Sequence, residues 1–211
     1  MKTLTAVLVL SLVLAAGVGA SLAAAESYRI DPGHSNIGFK VQHILSKVPG
    51  RFMKYSGTVT VDPNDLSTAR IAVEIDPVSV NTDNSGRDES VRSAEFFDVG
   101  KFPKMTFEST SVTPNGSGHA SLKGNLTLHG VTKPVELAVE ILGFAADPWG
   151  GYRAAFEAKG VINRKDFGMT WNKVLDSGGL LVGESVEIDL NVEAVRQGAA
   201  PEAKAGAKSG R

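Results

Sequence analysis

SLKGNLTLHGVTKPVELAVE, residues 121–140, is the stretch of the chain in which apolar and polar residues alternate most regularly. Leu122, Leu126 and Leu128 share one parity before the link 129–134, with Gly124 between them, and Val135 and Leu137 resume the alternation after it. A period of two predicts a β-strand with one buried face. Two such runs joined by a link that contains Gly and Pro predict an antiparallel hairpin. Because Pro134 has no N–H donor, we expect it at the first residue of the return strand.

The same alternation recurs along the rest of the chain. With the hairpin it predicts eight strands, at residues 28–43, 51–62, 69–75, 104–112, the two halves of 121–140, 152–163 and 182–192. The links between them are mostly short and contain turn-forming residues such as Asp, Asn, Gly and Pro. This favours an all-β fold, an eight-stranded antiparallel up-and-down barrel, over a sandwich with Greek-key crossings. Many of the 23 glycines fall in or beside these strands, where a closing sheet has to bend.

The segment 84–97 breaks the alternation. It is polar, and Ser85 precedes Asp88 by three residues in a weak form of the capping box. We therefore predict a short helix over 87–93, followed by the apolar pair Phe96 and Phe97. Such a segment is too short for a domain, and we expect a short helical plug near 87–97 at one end of the barrel.

The two ends of the chain differ from the predicted barrel. Residues 1–25 combine a basic start at Lys2, an apolar run and a small-residue cleavage site, which is typical of a secretory signal peptide. We expect cleavage after Ala25, a barrel domain over 26–196, and a disordered tail of Ala, Gly and Lys over 197–211. No later stretch is long and apolar enough for stable membrane insertion. The expected location is therefore periplasmic or secreted.

Composition excludes several classes of function. The chain carries 22 basic and 23 acidic residues, a net charge of −1, and shows no basic patch that would indicate nucleic-acid binding. It has no cysteine, so neither a disulfide framework nor a cysteine nucleophile can be present. About 170 residues are enough to hold such a domain by its core alone.

The polar residues do not form a recognisable catalytic or metal-binding motif. The four histidines lack the short spacings of metal ligands, so we predict no metal and no cofactor. Asp31, His34 and Ser35 lie within one Asp-Pro-Gly turn, and we interpret them as turn-stabilising residues rather than as a triad. No catalytic residue is predicted, and the protein is not expected to be an enzyme.

The sequence allows either a ligand-binding or a structural role for three polar sites. His43 has the parity of Ile37 in the first predicted strand, so it can face a ligand head group or the backbone at a barrel end. Arg164 can bind an anionic head group, or it can fix its own turn through Asp166 or the backbone. Arg87 and its neighbour Asp88 can form an ion pair within the plug or act as a gate.

The apolar face of the strands is compatible with a filled core and with a ligand cavity. Small residues on that face, among them Gly124, Ala154 and Ala158, leave volume for a ligand. Phe96, Phe97 and Trp171 are the candidates for the mouth of such a cavity. Its predicted wall is formed by alternate residues of the strands, namely Ile37, Phe39, Val41, Phe52, Ile71, Val73, Ile75, Met105, Phe107, Leu126, Leu137, Phe156, Ile188 and Leu190.

The chain resembles the YceI-like family over residues 28–193. The matching motifs, in chain order, are Tyr28-x-Ile30-Asp31-x-x-His34-Ser35, Gly50-x-Phe52, Arg87-Asp88, Phe102-Pro103-x-Met105-x-Phe107, Gly124-x-Leu126-Thr127-Leu128-x-Gly130, Arg164-x-Asp166-Phe167-Gly168 and Val182-Gly183-x-x-Val186-x-Ile188. This resemblance implies a lipocalin-like barrel that holds a long isoprenoid or other lipid chain, such as an isoprenoid quinone, a polyprenyl compound or a fatty amide. It implies no catalysis and no metal, and it is compatible with a homodimer.

One position departs from the pattern that the resemblance implies. The family commonly has R-D-x-H-L after its third strand, whereas this chain has Ser90 in place of the histidine. The head-group preference is therefore open. Two alternative functions also remain: an enzyme that acts on a lipid or quinone bound in the barrel, and a stress-response module with a filled barrel.

Overall fold

The computed structural model of the chain describes residues 25–176 and 178–198. These residues form one α-helix, α1, over Ser85–Arg92, and short 3₁₀ turns at Pro77–Ser79 and Arg164–Phe167. They also form eleven strands, β1 to β11 in chain order, with the bounds Glu26–Ile30, Asn36–His43, Ser46–Phe52, Tyr55–Asp62, Asp65–Ile75, Val80–Asn81, Met105–Pro114, His119–Leu128, Val131–Ala146, Tyr152–Asn163 and Val182–Arg196.

The strands form a closed antiparallel barrel. Pairing runs β1–β4–β5–β7–β8–β9–β10–β11, and β11 pairs again with β1 through Tyr28↔Arg196 and Ile30↔Ala194. Each strand therefore has a neighbour on both sides, so this part of the sheet has no open edge. The predicted all-β fold, an eight-stranded antiparallel barrel with one short helix, is confirmed.

Two of the predicted strands are interrupted, which corrects their bounds. The predicted strand 28–43 is β1 and β2 separated by a turn, in which the Asp31 carboxylate accepts a hydrogen bond of 3.0 Å from the Gly33 N–H. The predicted strand 51–62 is the end of β3 followed by β4. There the Ser79 hydroxyl accepts the N–H groups of Met53 and Lys54 at 3.1 and 2.9 Å. The barrel thus has eight strand positions, of which β1 with β2 and β3 with β4 each occupy one. The two-residue β6 pairs with β3 and extends the position that β5 occupies beside β4.

The hairpin of residues 121–140 is present as β8 and β9, with a tighter turn than predicted. The turn contains only His129 and Gly130, with φ of 52° and 72°. Pro134 lies inside β9 opposite Asn125 and not at its first residue, so that prediction was wrong. The described pairing between β9 and β10 begins at Ala138, so the missing N–H of Pro134 removes no bond to β10.

The predicted plug is α1 and the segment after it. The helix begins at Ser85, and its N-cap is Asn84, whose side chain accepts the Arg87 N–H at 3.0 Å. Ser85 therefore belongs to the helix and does not cap it. Phe97 packs on Phe52 with ring centroids 5.8 Å apart, which joins this segment to the buried cluster beneath it.

The two ends of the barrel differ in their packing. We call the end that carries α1, the β2–β3 turn and the loop 169–181 the helix end, and the opposite end the far end. At the far end Tyr28, Val61, Ala154 and Ala194 are almost fully buried. These residues belong to one buried apolar cluster, which forms the core of the far end.

Two predictions concern residues that the structure does not describe. The predicted signal peptide, 1–25, and the predicted disordered tail, 197–211, lie almost wholly outside the described residues and stay predictions. Among the described residues, no helix is both long enough and apolar enough to cross a lipid bilayer.

Candidate ligand-binding cavity

The barrel encloses a cavity of about 670 Å³. Its wall receives residues from every described strand except the two-residue β6, and from α1, and it extends from Leu66 and Val112 near the far end to Arg87 at the helix end. This volume lies within the range of ordinary small-molecule sites, roughly 300–1,000 Å³. The wall is overwhelmingly apolar, so the cavity suits a hydrocarbon chain.

The structure places all of the predicted site residues on the cavity wall. These are the fourteen strand residues of the predicted wall, the mouth candidates Phe96, Phe97 and Trp171, and the polar candidates His43 and Arg164. The position of the strand residues follows from parity, because alternate residues of each strand point inward. Phe96, Phe97, Arg164 and Trp171 lie outside the strands and reach the wall from the segments at the helix end. The role of all these residues in binding stays a prediction.

Sequence reasoning missed part of the wall. Leu122, Val139 and Val186 also line the cavity, and they have the same parity as the predicted wall residues of their strands. No periodicity marks the polar residues that the β6–α1 segment contributes, which are Thr82, Asn84, Arg87 and Ser90. They reach the cavity because a residue with positive φ, Asp83 at 59°, turns the chain between β6 and α1.

Two glycines create room for aromatic rings inside the barrel. Gly50 on β3 lies directly opposite Phe39 on β2, and a Cβ at residue 50 would meet the Phe39 ring at 2.8 Å or less. A Cβ at Gly124 on β8 would meet the Phe107 ring and lie 2.6 Å from the Glu108 carbonyl oxygen. Each ring therefore rests on bare backbone, and the two glycines shape the cavity wall.

The polar lining lies at one end. Those described residues of the wall that can ionise are His43, Arg87 and Arg164, and all three belong to the helix end. The hydroxyl of Ser90, which replaces the histidine expected there, donates to the Gly86 carbonyl at 3.0 Å. The cavity is thus apolar along its length and polar at the end that α1 covers.

A hydrogen-bonded network holds α1 in place. The buried Asp88 carboxylate accepts the Thr82 N–H at 2.7 Å and the Thr82 hydroxyl at 2.6 Å. Arg87 donates through Nε to the Thr82 hydroxyl at 2.9 Å and through Nη2 to the Thr82 carbonyl at 2.6 Å. Burial acts to raise the pKa of Asp88, but the hydrogen bonds from Thr82 outweigh it and leave this pKa below its ordinary value. Arg87 and Asp88 therefore meet through Thr82.

Arg164 supports the opposite side of the helix end. Its side chain is buried and donates to the carbonyl oxygens of Met169 at 2.5 Å and Gly183 at 2.9 Å. Burial lowers the pKa of this guanidinium from its ordinary value. These contacts correspond to the structural alternative, in which the arginine fixes the turn through backbone groups. An anionic head group would have to share donors that already bind the protein.

Aromatic side chains border the same end. Phe96 and Trp171 pack together with ring centroids 5.3 Å apart, which joins the segment after α1 to the loop 169–181. His43 lines the same cavity from the last residue of β2, and its side chain is exposed to solvent. Together these residues form a rim where an apolar interior meets water.

One group of potential metal ligands lies outside this cavity. Within the described ranges, Asp31, His34 and Glu193 bring ligand atoms within 4.8 Å of one another. Arg153 donates to the carboxylates of both Asp31 and Glu193, so these oxygens already have a cationic partner within the protein. The Ser35 hydroxyl is bound to the Glu193 backbone at 2.9 and 3.1 Å. Asp31, His34 and Ser35 therefore form an ion-pair and turn network, not a nucleophilic triad.

Comparison with known proteins identifies the barrel. A model of the YceI-like domain matches residues 28–194, which is most of the chain and all of the closed barrel except the ends of β1 and β11. The chain belongs to the YceI-like family. Within it, a UPF0312 protein of Serratia proteamaculans is 44% identical over 182 residues, covering 85% of this chain and 91% of the relative.

Solved structures share the YceI-like barrel. The YceI protein of Campylobacter jejuni is similar with a TM-score of 0.66 and 30% identity, covering 74% of this chain and 90% of that one. A polyisoprenoid-binding domain from Saccharophagus degradans, implicated in plant cell wall breakdown, has a TM-score of 0.60 and 19% identity over 80% of this chain and 98% of its own. The second likeness concerns the fold alone.

Proposed function

We propose that this YceI-like protein is an exported binding protein that holds a long isoprenoid or other lipid chain inside its barrel. The observation that carries the proposal is the cavity of about 670 Å³, apolar along the barrel and polar at the helix end. The name of the Saccharophagus degradans domain gives a precedent for polyisoprenoid binding in this fold. Export is supported by the sequence of residues 1–25.

The energetics of such binding come from hydrocarbon burial. Each buried CH₂ contributes about 0.8 kcal/mol, so ten methylenes supply roughly 8 kcal/mol before the costs of association. No charged partner is needed for this affinity. The wall does not select strongly among hydrocarbon chains, because one methylene more or less changes the free energy little.

The polar lining orients the ligand. A polar head group placed at the helix end can reach His43, Asn84 and Ser90, while the chain extends toward the far end. Neutral head groups such as a quinone carbonyl or an amide match these hydrogen-bonding side chains. An isoprenoid quinone, a polyprenyl compound or a fatty amide therefore suits the site better than a strongly anionic lipid.

The structure favours binding over the two alternatives. A filled barrel would leave no room for a ligand, whereas the wall here surrounds an open volume. Catalysis would need an ionisable group that is free to act on the ligand. Of the three ionisable residues in the described wall, Arg87 and Arg164 instead direct their donors to Thr82 and to backbone carbonyls, which leaves His43 at the rim without a second ionisable group to work with it. We therefore propose a carrier rather than an enzyme.

A cavity-filling substitution tests the proposal. Ala158 on β10 is buried and lines the cavity, so we expect Ala158→Phe to occupy the space of the ligand chain. Titration of delipidated protein with an isoprenoid quinone should show at least a tenfold weaker Kd for this variant, since several CH₂ groups lose their site. The matched control is Ala138→Phe at an exposed position of β9, which should bind as the wild type does.

The result that contradicts the proposal is equally specific. Wild-type protein that takes up neither isoprenoid nor fatty ligands, or equal affinity in the two alanine variants, would exclude the barrel interior as the binding site. Circular dichroism of each variant separates loss of the ligand site from loss of the fold.

A further inference from the structure

Two loops meet at the helix end and present aliphatic side chains to solvent. They are the β2–β3 turn at residues 43–46 and the loop 173–181, and the Ile44 N–H donates to the Leu181 carbonyl at 3.0 Å. Val174 and Leu180 form a bridge within the second loop. We call Ile44, Leu45, Val174 and Leu180 the apolar tips.

The apolar tips are unusually exposed for aliphatic residues. The exposed fractions are 46% for Ile44, 93% for Leu45, 67% for Val174 and 42% for Leu180. A single exposed leucine needs no explanation. Four aliphatic residues on two joined loops form a patch, and such patches mark surfaces that contact a protein or a membrane.

The backbone at Ile44 is a second unusual feature of this surface. Ile44 has φ of 52°, in the left-handed region that β-branched residues rarely adopt. It is the first central residue of a two-residue hairpin turn, where glycine or asparagine is favoured. An exposed isoleucine therefore occupies a strained backbone position, and such positions cluster at functional sites.

The position of the apolar tips connects them to the cavity. His43 precedes Ile44 in the chain, and Leu181 follows Leu180, and both neighbours line the cavity. The apolar tips thus adjoin the inner wall through Leu181 on one loop and through His43 on the other. A partner that covers the apolar tips would lie against the helix end, where the polar lining places the head group.

Charge and size indicate what that partner is. Residues 43–46 contain no Lys, Arg, Asp or Glu, and the described part of the second loop carries Lys173 and Asp176, whose charges cancel. The two loops therefore carry no net charge that would attract an anionic partner. Four side chains are also far fewer than the roughly 20–30 residues a side of a stable protein interface. A lipid bilayer accepts small uncharged apolar projections, because it needs no complementary surface.

We propose that the apolar tips insert into the surface of a lipid bilayer, so that a lipid passes between the bilayer and the barrel at the helix end. This inference rests on the proposed lipid-binding function and adds to it a site of membrane contact. It places the route of loading at the end where the cavity meets polar side chains.

Site-specific labelling tests the contact. The chain has no cysteine, so Leu45→Cys can carry a single nitrobenzoxadiazole label, and Leu142→Cys serves as the matched control. Leu142 is 51% exposed on β9 and lies outside the cavity wall. On addition of neutral phosphatidylcholine vesicles we expect a blue shift and quenching by nitroxide lipids at residue 45 only. Both proteins share the same N-terminus, so a membrane contact made by residues 1–25 does not distinguish them.

Transfer kinetics test the role of the contact. Leu45→Asp should slow the transfer of a fluorescent isoprenoid from vesicles to the protein about tenfold, because aspartate enters a bilayer far less favourably than leucine. Its Kd for detergent-dispersed isoprenoid should equal that of the wild type, and Leu142→Asp should change neither quantity.

The failure of this inference is distinguishable from that of the proposed function. If both labels respond alike, or if Leu45→Asp accepts lipid from vesicles as fast as Leu142→Asp, the apolar tips are not the contact, although the barrel still binds lipid. If the wild type takes up isoprenoid from neither vesicles nor detergent, the proposed function fails, and the inference fails with it.

Discussion

At the scale of single residues, the network around Thr82 determines where α1 sits on the barrel. Asp88 accepts both the backbone N–H and the hydroxyl of Thr82, and Arg87 binds the same hydroxyl and the Thr82 carbonyl. Thr82 and Asp88 are both buried. Because buried polar groups are costly when left unpaired, these bonds couple the position of the helix to the end of β6.

We predict that Asp88→Asn destabilises the protein in a pH-dependent way. The substitution removes the charge from hydrogen bonds to a buried residue, so the free energy of unfolding at neutral pH should fall by about 1 kcal/mol. The pKa of Asp88 is lower in the folded protein than its ordinary 3.8. The stabilising contribution is therefore complete above the unfolded pKa and disappears as the pH falls through the folded pKa.

Urea unfolding at a series of pH values measures this effect. The difference between wild type and Asp88→Asn should be constant near neutral pH and should shrink as the pH falls below 3.8. Glu89→Gln is the control, since Glu89 is the exposed neighbour on the same helix. A difference that persists unchanged into strong acid would show that the carboxylate charge is not what Thr82 stabilises.

Strand parity predicts single residues well and contacts between segments poorly. The positions of Ile37, Phe107 and Ile188 on the cavity wall follow from alternation alone. The hydrogen bond between Asp88 and Thr82 depends on the turn at Asp83, and no local sequence pattern predicts that hydrogen bond. For the same reason the sequence left two roles open for Arg164, whose carbonyl partners come from separate segments.

At the scale of elements, the barrel wall depends on glycines over which an aromatic ring of the neighbouring strand can lie, because a glycine has no side chain in that space. Gly124 on β8 is the clearest case, because the Phe107 ring of β7 lies over it. This contact places the ring against the sheet and keeps the cavity open beside it. Gly124 is also part of the hairpin with which the fold prediction begins.

We predict that Gly124→Ala lowers the free energy of unfolding by about 1–3 kcal/mol, the usual cost of overpacking. The new Cβ would lie 2.6 Å from the Glu108 carbonyl oxygen, and backbone can yield less easily than a side chain. Gly100→Ala is the control, since a Cβ there would have nothing within 4 Å. Chemical denaturation of both variants measures the difference, and equal stabilities would show that β7 and β8 relax without cost.

Element boundaries were predictable where they depend on local residues. The β10 bounds match the prediction, and the helix differs from it by two residues at its start. The alternation predicts one strand across the break between β1 and β2, although Asp31, Pro32 and Gly33 form a turn motif within it. Both strands pair with β11, which is continuous, so together they form one side of the barrel. This shared partner is distant in the chain and cannot be deduced from local sequence.

At the scale of the whole molecule, closure of the sheet places the apolar face of every strand around one interior volume. The closing contact between β1 and β11 involves residues at opposite ends of the domain, such as Tyr28 and Arg196. Alternation alone is compatible with a sandwich and with a filled core, so it could not establish a cavity. The family resemblance supplied that expectation, and the described structure shows the enclosed volume.

The central claim is that this volume holds a lipid, and native mass spectrometry of the protein purified from its own host tests it most directly. We predict a folded protein with an added mass of an isoprenoid or fatty compound, which collisional activation releases. The same spectrum would show whether the protein is a monomer or the homodimer that the resemblance allows. A bare protein mass, together with a delipidated protein that takes up no isoprenoid or fatty ligand, would contradict the claim.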